Sequence, residues 1–230
     1  MDSTQPQHTN RQYEEELRGL RAGLLKMGGL VERQIADAID SLVNRNSDLA
    51  RQIIRRDAEV NRMDTDTDEL CIRLLALHQP AASDLRFITT GLKITTDLER
   101  IGDNAVNICE RAIELNEEPL IKPYIDIPRM AAIAQSMVKD SLDAFMRDDT
   151  ELAERVIDRD DEVDQLNYQM YRELLGYMVE DPATISRATR ILFVSKYIER
   201  IADHATNIAE MVVYMVKGSS IRHMEKKQKR

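Results

Sequence analysis

Residues 99–110 read ERIGDNAVNICE and residues 199–210 read ERIADHATNIAE, identical at eight of twelve positions one hundred residues apart. A second pair, RDAEVN at 56–61 and RDDEVD at 159–164, precedes the first in each half. Matching segments in the same order mark a tandem duplication, so whatever fold one half adopts must also serve the other.

In both halves apolar residues step by three and four, the spacing that aligns side chains on one face of an α-helix. Tyr13, Leu17, Leu20, Leu24, Met27, Val31, Ile35, Ile39 and Leu42 predict a helix over Gln12 to Val43. The polar NRNSD stretch at 44–48 is a tight turn in which Ser47 or Asp48 caps the next helix. That second helix carries Leu49, Ile53, Val60, Met63, Leu70, Leu74 and Leu77, and ends near His78 and Pro80. Ser83 or Asp84 opens a third, with Phe87, Ile94, Leu98, Ile101, Ala105, Ile108 and Leu115. Short turns between long helices make them antiparallel neighbours.

Three of the six prolines fall within Asn116 to Pro128, so helix cannot run through that stretch. Beyond it the pattern restarts. Met130, Ile133, Met137, Ser141 and Ala144 mark a fourth helix, and Leu152, Val156, Val163, Leu166, Met170 and Tyr177 a fifth. Asp181 and Pro182 supply a cap and a first-turn proline for a sixth, which holds Ile185, Leu192, Ile201, Ala205, Ile208, Val212 and Met215. The expected fold is all-α, a tandem repeat of two antiparallel three-helix bundles. Its expected parts are a flexible N-terminus at 1–11, a first bundle at 12–116, a linker at 117–128, a second bundle at 129–217 and a basic tail at 218–230.

Charge and hydropathy exclude several functions. A net charge of -9 lacks the electrostatic footprint of a duplex-DNA binder, so no direct nucleic-acid partner is expected. The longest apolar run, Met211 to Val216, is far short of the roughly 20 residues that span a bilayer. The opening residues carry neither a basic leader nor an apolar stretch, which points to a cytoplasmic protein. Cys71 and Cys109 lie inside helical patterns without a CxxC partner, fitting reduced core thiols better than a disulfide or a zinc site.

Chemistry enters through the acidic residues. Glu99, Asp103 and Asn107 recur every four residues, as do Glu199, Asp203 and Asn207, so each set forms an oxygen-rich stripe along one helix. At about 100° per residue these stripes face away from the apolar set, onto the bundle surface. The second helices add Asp57, Asn61, Asp64 and Asp68 in one half, and Asp160, Asp164 and Asn167 in the other. These flank the core stripe on the side where a neighbouring helix meets them. Two facing oxygen stripes suit a hard or borderline divalent cation. A solvated acidic face explains the same spacing, but not its retention in both halves.

The paired ERIGD and ERIAD motifs, QPAASDLRFI at 79–88, MGGLVE at 27–32 and VKGSSIRH at 216–223 together resemble the PhoU family, over about residues 12 to 223. The family includes accessory regulators of bacterial high-affinity phosphate transport. The resemblance implies two three-helix bundles with metal clusters held on their surface by paired (E/D)xxxD motifs. Matched by position, the first site has Glu99 with Asp103, opposite Asp57 with Asn61, where Asn replaces the second Asp. The second site matches fully, with Asp160 and Asp164 opposite Glu199 and Asp203. Asp64, Asn107 and Asn207 are candidates for additional donors. Asn lacks the charge of Asp, so the first site is expected to bind more weakly or to hold fewer ions.

The implied cofactors are divalent or trivalent metal ions: iron, zinc, manganese or magnesium. The implied partners are a second copy of the chain, the ATPase subunit of a phosphate ABC transporter and a phosphate-responsive sensor histidine kinase. Membrane association would come only through those partners. The implied role is an adaptor that represses the starvation response when phosphate is plentiful.

Enzymatic alternatives fail on spacing. A ferritin-like di-iron site needs Glu-x-x-His, and none of His8, His78, His204 and His223 has Glu three residues earlier. Signatures such as GxxxxGK(S/T), HExxH and GxSxG are absent, so no catalytic residue is assigned and no enzyme is expected. A metal-storage or metal-buffering protein would use the same stripes and is the alternative function. The tail at 222–230 fits a frayed, solubilising end or a contact with anionic lipid or an acidic partner. Close packing, a bend or a docking surface would each explain the mid-helix pair Gly28 and Gly29.

Overall fold

The computed structural model describes residues 7–218. It contains α1 (Gln7–Val43), α2 (Ser47–His78), α3 (Ala82–Asn116), α4 (Asp126–Arg147), α5 (Thr150–Glu180) and α6 (Ile185–Lys217), with no strand among the described residues. Each half is a three-helix bundle whose inward face is the predicted apolar stripe: Leu20, Leu24, Met27, Val31 and Ile35 on α1 are all buried. Helix α1 begins at Gln7, so residues 7–11 belong to it rather than to a separate leader. The remaining leader, 1–6, and the basic tail from 219 onward lie outside the described residues.

Several helix starts differ from expectation. Asn46, rather than Ser47 or Asp48, caps α2, because its side chain reaches the third free amide and accepts from Leu49 N at 3.0 Å. Helix α3 starts after Ala81 without a side-chain cap. Asp84 instead accepts from Tyr13 Oη at 2.9 Å, tying α3 to α1. Helix α4 starts at Asp126, inside the expected linker, and absorbs Pro128 in its first turn, where a missing N–H costs nothing. Asp181 caps a 3₁₀ turn, Pro182–Thr184, that leads into α6. Gly218 closes α6 with φ +69°, the left-handed conformation open to glycine.

The halves are fused through α1 and α3 on one side and α4 and α6 on the other, leaving α2 and α5 outermost. Helices α3 and α6 run antiparallel along the seam. Arg86 Nε donates to Met215 O (3.0 Å) near one end, and Arg190 Nε to Glu114 Oε2 (2.6 Å) near the other. Phe87 stacks on Phe145 with centroids 5.2 Å apart, extending the apolar core across both halves. Gly28 belongs to this seam: an added Cβ would lie 2.2 Å from Leu142 Cδ1. Close packing therefore accounts for Gly28, whereas a Cβ on Gly29 would meet only Arg33 Nη1, at 3.7 Å. Both cysteines are buried and free, and burial pushes each thiol up to about 12.

Candidate metal centres

The α2 and α3 stripes meet in the first half. Asp57 flanks the core stripe on the side where a neighbouring helix is expected, and α1 covers that side closely enough to leave it 9% exposed. Gln34 Nε2 approaches Asp57 Oδ1 at 3.5 Å, and Asn61 Nδ2 donates to Asp57 Oδ2 at 3.1 Å. Gly102 makes the approach possible, since a Cβ there would sit 3.3 Å from Asp57 Oδ1. Burial raises the Asp57 carboxyl above the usual range and the Asp103 charge raises it further, while the two amides pull it back. Burial and Asp103 likewise raise Glu99, with Asp64 and Asp57 adding to the repulsion. Asp64 is raised by burial and by Asp68. Arg100 offsets part of this, pairing with Glu99 and Asp103 at 3.3 Å each.

The second half repeats the meeting with a different lining. Burial pushes Asp160 up to about 6, helped by the charges of Asp203 and Asp164, and the Thr206 hydroxyl opposes this by donating to it at 3.3 Å. Asp203 reaches solvent, yet its crowded surroundings strip enough hydration to raise it, with Glu199 adding repulsion. Lys196 forms an ion pair with Glu199. Each expected quartet therefore senses itself electrostatically: Asp57, Glu99 and Asp103 beside Asn61, and Asp160, Asp164, Glu199 and Asp203. Among the described residues no three His, Cys, Asp or Glu side chains already form a closed metal cage. Arg100 and Lys196 hold some of these carboxylates in ion pairs.

Asn207 does not join its stripe alone, since its amide donates to Asp97 Oδ1 across the seam at 3.4 Å. His204 Nδ1 lies 2.8 Å from the same oxygen, so that histidine pins α6 to α3. Asn107 is half-buried. Sequence reasoning missed Gln34, Asp97 and Thr206. Gln34 had a signal, as a polar residue one helical turn from Val31 on the apolar stripe. Asp97 had one too, since it stands where the other half has Tyr197.

The PhoU domain family matches residues 24–112 and again 127–212, together more than half of the chain and once per bundle. The chain belongs to the PhoU family. The phosphate-specific transport system accessory protein PhoU homolog of Pseudomonas aeruginosa is 45% identical over 218 residues, covering 94% of this chain and 90% of that protein. PhoU of Escherichia coli, named in the same way, is 40% identical over 217 residues, with 94% and 90% covered. The crystal structure of PhoU from Pseudomonas aeruginosa superposes with a TM-score of 0.87, covering 90% of this chain and all of that one. The phosphate transport system regulatory protein PhoU of Streptococcus pneumoniae gives 0.85 at 31% identity, over 91% of this chain and 99% of that one. The two PhoU domains coincide with the two bundles, and each contains one carboxylate cluster.

Proposed function

We propose that the chain is a cytoplasmic, homodimeric regulator of phosphate uptake and phosphate-starvation signalling. It acts by binding, not by turnover. It touches the ATPase subunit of a phosphate ABC transporter and a phosphate-responsive sensor histidine kinase, and favours the kinase's signal-off state when phosphate is plentiful. The observation that carries this reading is the match over 94% of the chain to proteins named for the phosphate-specific transport system. Among the described residues no helix is long and apolar enough to cross a membrane, which suits action through partners. An adaptor shifts a kinase by preferring one of its states, and a tenfold preference corresponds to about 1.4 kcal/mol. Long exposed helix faces can supply that.

The two carboxylate clusters fit metal ions: their donors are oxygens, and their mutual repulsion is what a bound cation relieves. All-oxygen donors suit hard ions such as magnesium and manganese and also accept iron and zinc, so the donor set does not separate these four. A bound ion would supply fixed positive charge, while Asp57, Glu99 and Asp103, and their four counterparts, orient it. The same clusters favour a second reading, metal buffering. Deleting the gene and assaying alkaline phosphatase in high phosphate separates the two. The adaptor reading expects derepression. Metal buffering expects unchanged repression with altered metal tolerance, and that result would overturn the proposal.

A further inference from the structure

We propose that the outer face of α5 docks a basic amphipathic helix of a protein partner. The existence of a partner rests on the adaptor reading above; its chemistry comes from α5 itself. Tyr168, Tyr171, Leu175 and Val179 follow one another at three- and four-residue steps and so share one helix face. All four are exposed, Val179 by 81% and Tyr168 by 63%. Helix α5 packs against α4, α6 and the turn before α6, and the linker reaches it through Lys122 at Glu173, on a different face from this stripe. Scattered exposed apolar residues need no explanation, but a continuous stripe marks an interaction site.

The duplication provides an internal comparison. At the matching positions of α2, in the register set by Asp57 and Asp160, stand Thr65, Asp68, Ile72 and Ala76. Thr65 and Asp68 interrupt the stripe there, although Ile72 and Ala76 are exposed, so the bundle does not require a continuous apolar stripe and only α5 is apolar at all four positions. Gly176 adds an independent sign. A Cβ there would meet nothing within 4 Å, so no contact in this chain calls for glycine, which costs about 1 kcal/mol against alanine inside a helix. A glycine at the stripe's edge admits the close approach of another backbone.

Charge selects the occupant. Asp161 lies two turns before Tyr168 on the same face, with Asp164 of the second carboxylate cluster between them and Asp158 exposed nearby, while the exposed Arg172 stands inside the stripe and sets its positive charge away from that acidic end. A complementary helix has apolar residues at i, i+3 or i+4 and i+7, with Lys or Arg at one end. An anionic lipid surface is repelled by that acidic end. A second copy fits poorly as well, since parallel pairing sets the acidic end against itself and antiparallel pairing sets it near Glu180 and Asp181.

The test uses full-length protein and two synthetic amphipathic helical peptides with the same leucine stripe, one ending in lysines and one in glutamates. Fluorescence anisotropy should show the lysine peptide binding at least tenfold more tightly than the glutamate peptide, with added salt weakening it. Leu175→Glu should weaken the lysine peptide at least tenfold, while Ile72→Glu on α2 should not. Val179→Lys, at the most exposed position of the stripe, should also weaken it and guards against a folding defect. Equal binding of both peptides, no effect of either α5 substitution, or conversion of a dimer to monomer by Leu175→Glu would each overturn the proposal. Binding of phosphatidylserine vesicles in place of the peptide would do so too. Unchanged alkaline phosphatase on gene deletion would defeat the adaptor reading while leaving the peptide result intact.

Discussion

The two carboxylate clusters descend from one unit but are neutralised differently. In the first half, Asp57 is buried under neutral amides: Gln34 and Asn61 both direct protons at it, and Arg100 spans Glu99 and Asp103. In the second half, Asp164 takes the place of Asn61 and Met137 that of Gln34, so Asp160 receives one hydroxyl and faces three other carboxylates. Fixed dipoles satisfy the first cluster from within. The second accumulates negative charge that Lys196 offsets only in part, and a proton or an external cation removes the rest.

The largest expected effect follows from that asymmetry. Asp203→Ala should remove metal from the second half, weakening binding there by on the order of 100-fold, since even outer-shell changes cost 10–100-fold. Asp103→Ala should cost the first half less, because that site starts weaker. Both proteins should stay folded, as surface carboxylate changes usually cost under about 0.5 kcal/mol apart from metal linkage. Elemental analysis of each variant measures this, and unchanged metal content in the double variant would exclude these clusters as the principal sites. A smaller change runs the other way. Asn61→Asp restores the missing carboxylate, and should strengthen first-half binding about tenfold, equivalent to about 1.4 kcal/mol. Titration calorimetry in the Asp203→Ala background would detect it, and no gain would break the charge explanation of the asymmetry.

Protons test the same contrast without metal. The Asp160 carboxyl is raised to about 6, above its ordinary value near 3.9. Between those limits the folded state binds more protons than the unfolded one, so stability falls as pH rises from about 4 to 6 and then levels off. Two units would correspond to about 3 kcal/mol, but solvent screening of this half-exposed group brings the expected figure to about 1 kcal/mol. In chelator-treated protein, Asp160→Asn should stabilise by about that amount at pH 7 and flatten this slope. Urea denaturation at pH 5 and pH 7 measures both. Asp57→Asn should gain less, since it discards a charge that already accepts two amide protons.

The helices could be read from sequence because each depends on spacing along one chain segment, and the same spacing placed the carboxylates in stripes. The apolar steps of α1 gave its buried face, and the ERI(G/A)D repeat located both stripes. What could not be read depends on which helix covers which. Spacing placed Asp57 beside the core stripe, on the side where a neighbouring helix meets it, but only the crossing of α1 shows how deeply it is buried. The cap of α2 moved to Asn46 because a turn's path, not its composition, decides which oxygen reaches the amide. Asp97 bonds His204 and Asn207 only once the two halves pack, which no periodicity within one half reveals. Gly28 shows the same limit: as a mid-helix glycine it had three explanations, and Leu142 on the neighbouring bundle selects close packing.

The smallest expected effect comes from Gln34. It sits 3% exposed in the apolar face of α1, and its Oε1 has no hydrogen-bond partner among the described residues. In the same register the second half has Met137, fully buried. Gln34→Met makes the first lining resemble the second, and two opposing terms decide its outcome. It removes an unpaired buried acceptor, worth roughly 1–3 kcal/mol, and it removes a donor to an ionised carboxylate, worth about 1.5–3 kcal/mol at good geometry. The 3.5 Å separation is at the long limit of a hydrogen bond, so the lost donor counts for less than that range. In metal-free protein the two should nearly cancel, leaving a change under about 1 kcal/mol by urea denaturation. With metal present the balance should tip, because Oε1 faces the same small space over Gly102 as Asp57 Oδ1 and can serve a cation as a neutral oxygen donor. Stabilisation by added metal should then fall in Gln34→Met and stay unchanged in Met137→Leu. Equal metal stabilisation in both variants would show that the buried amide only props up Asp57 and that the clusters differ in charge alone.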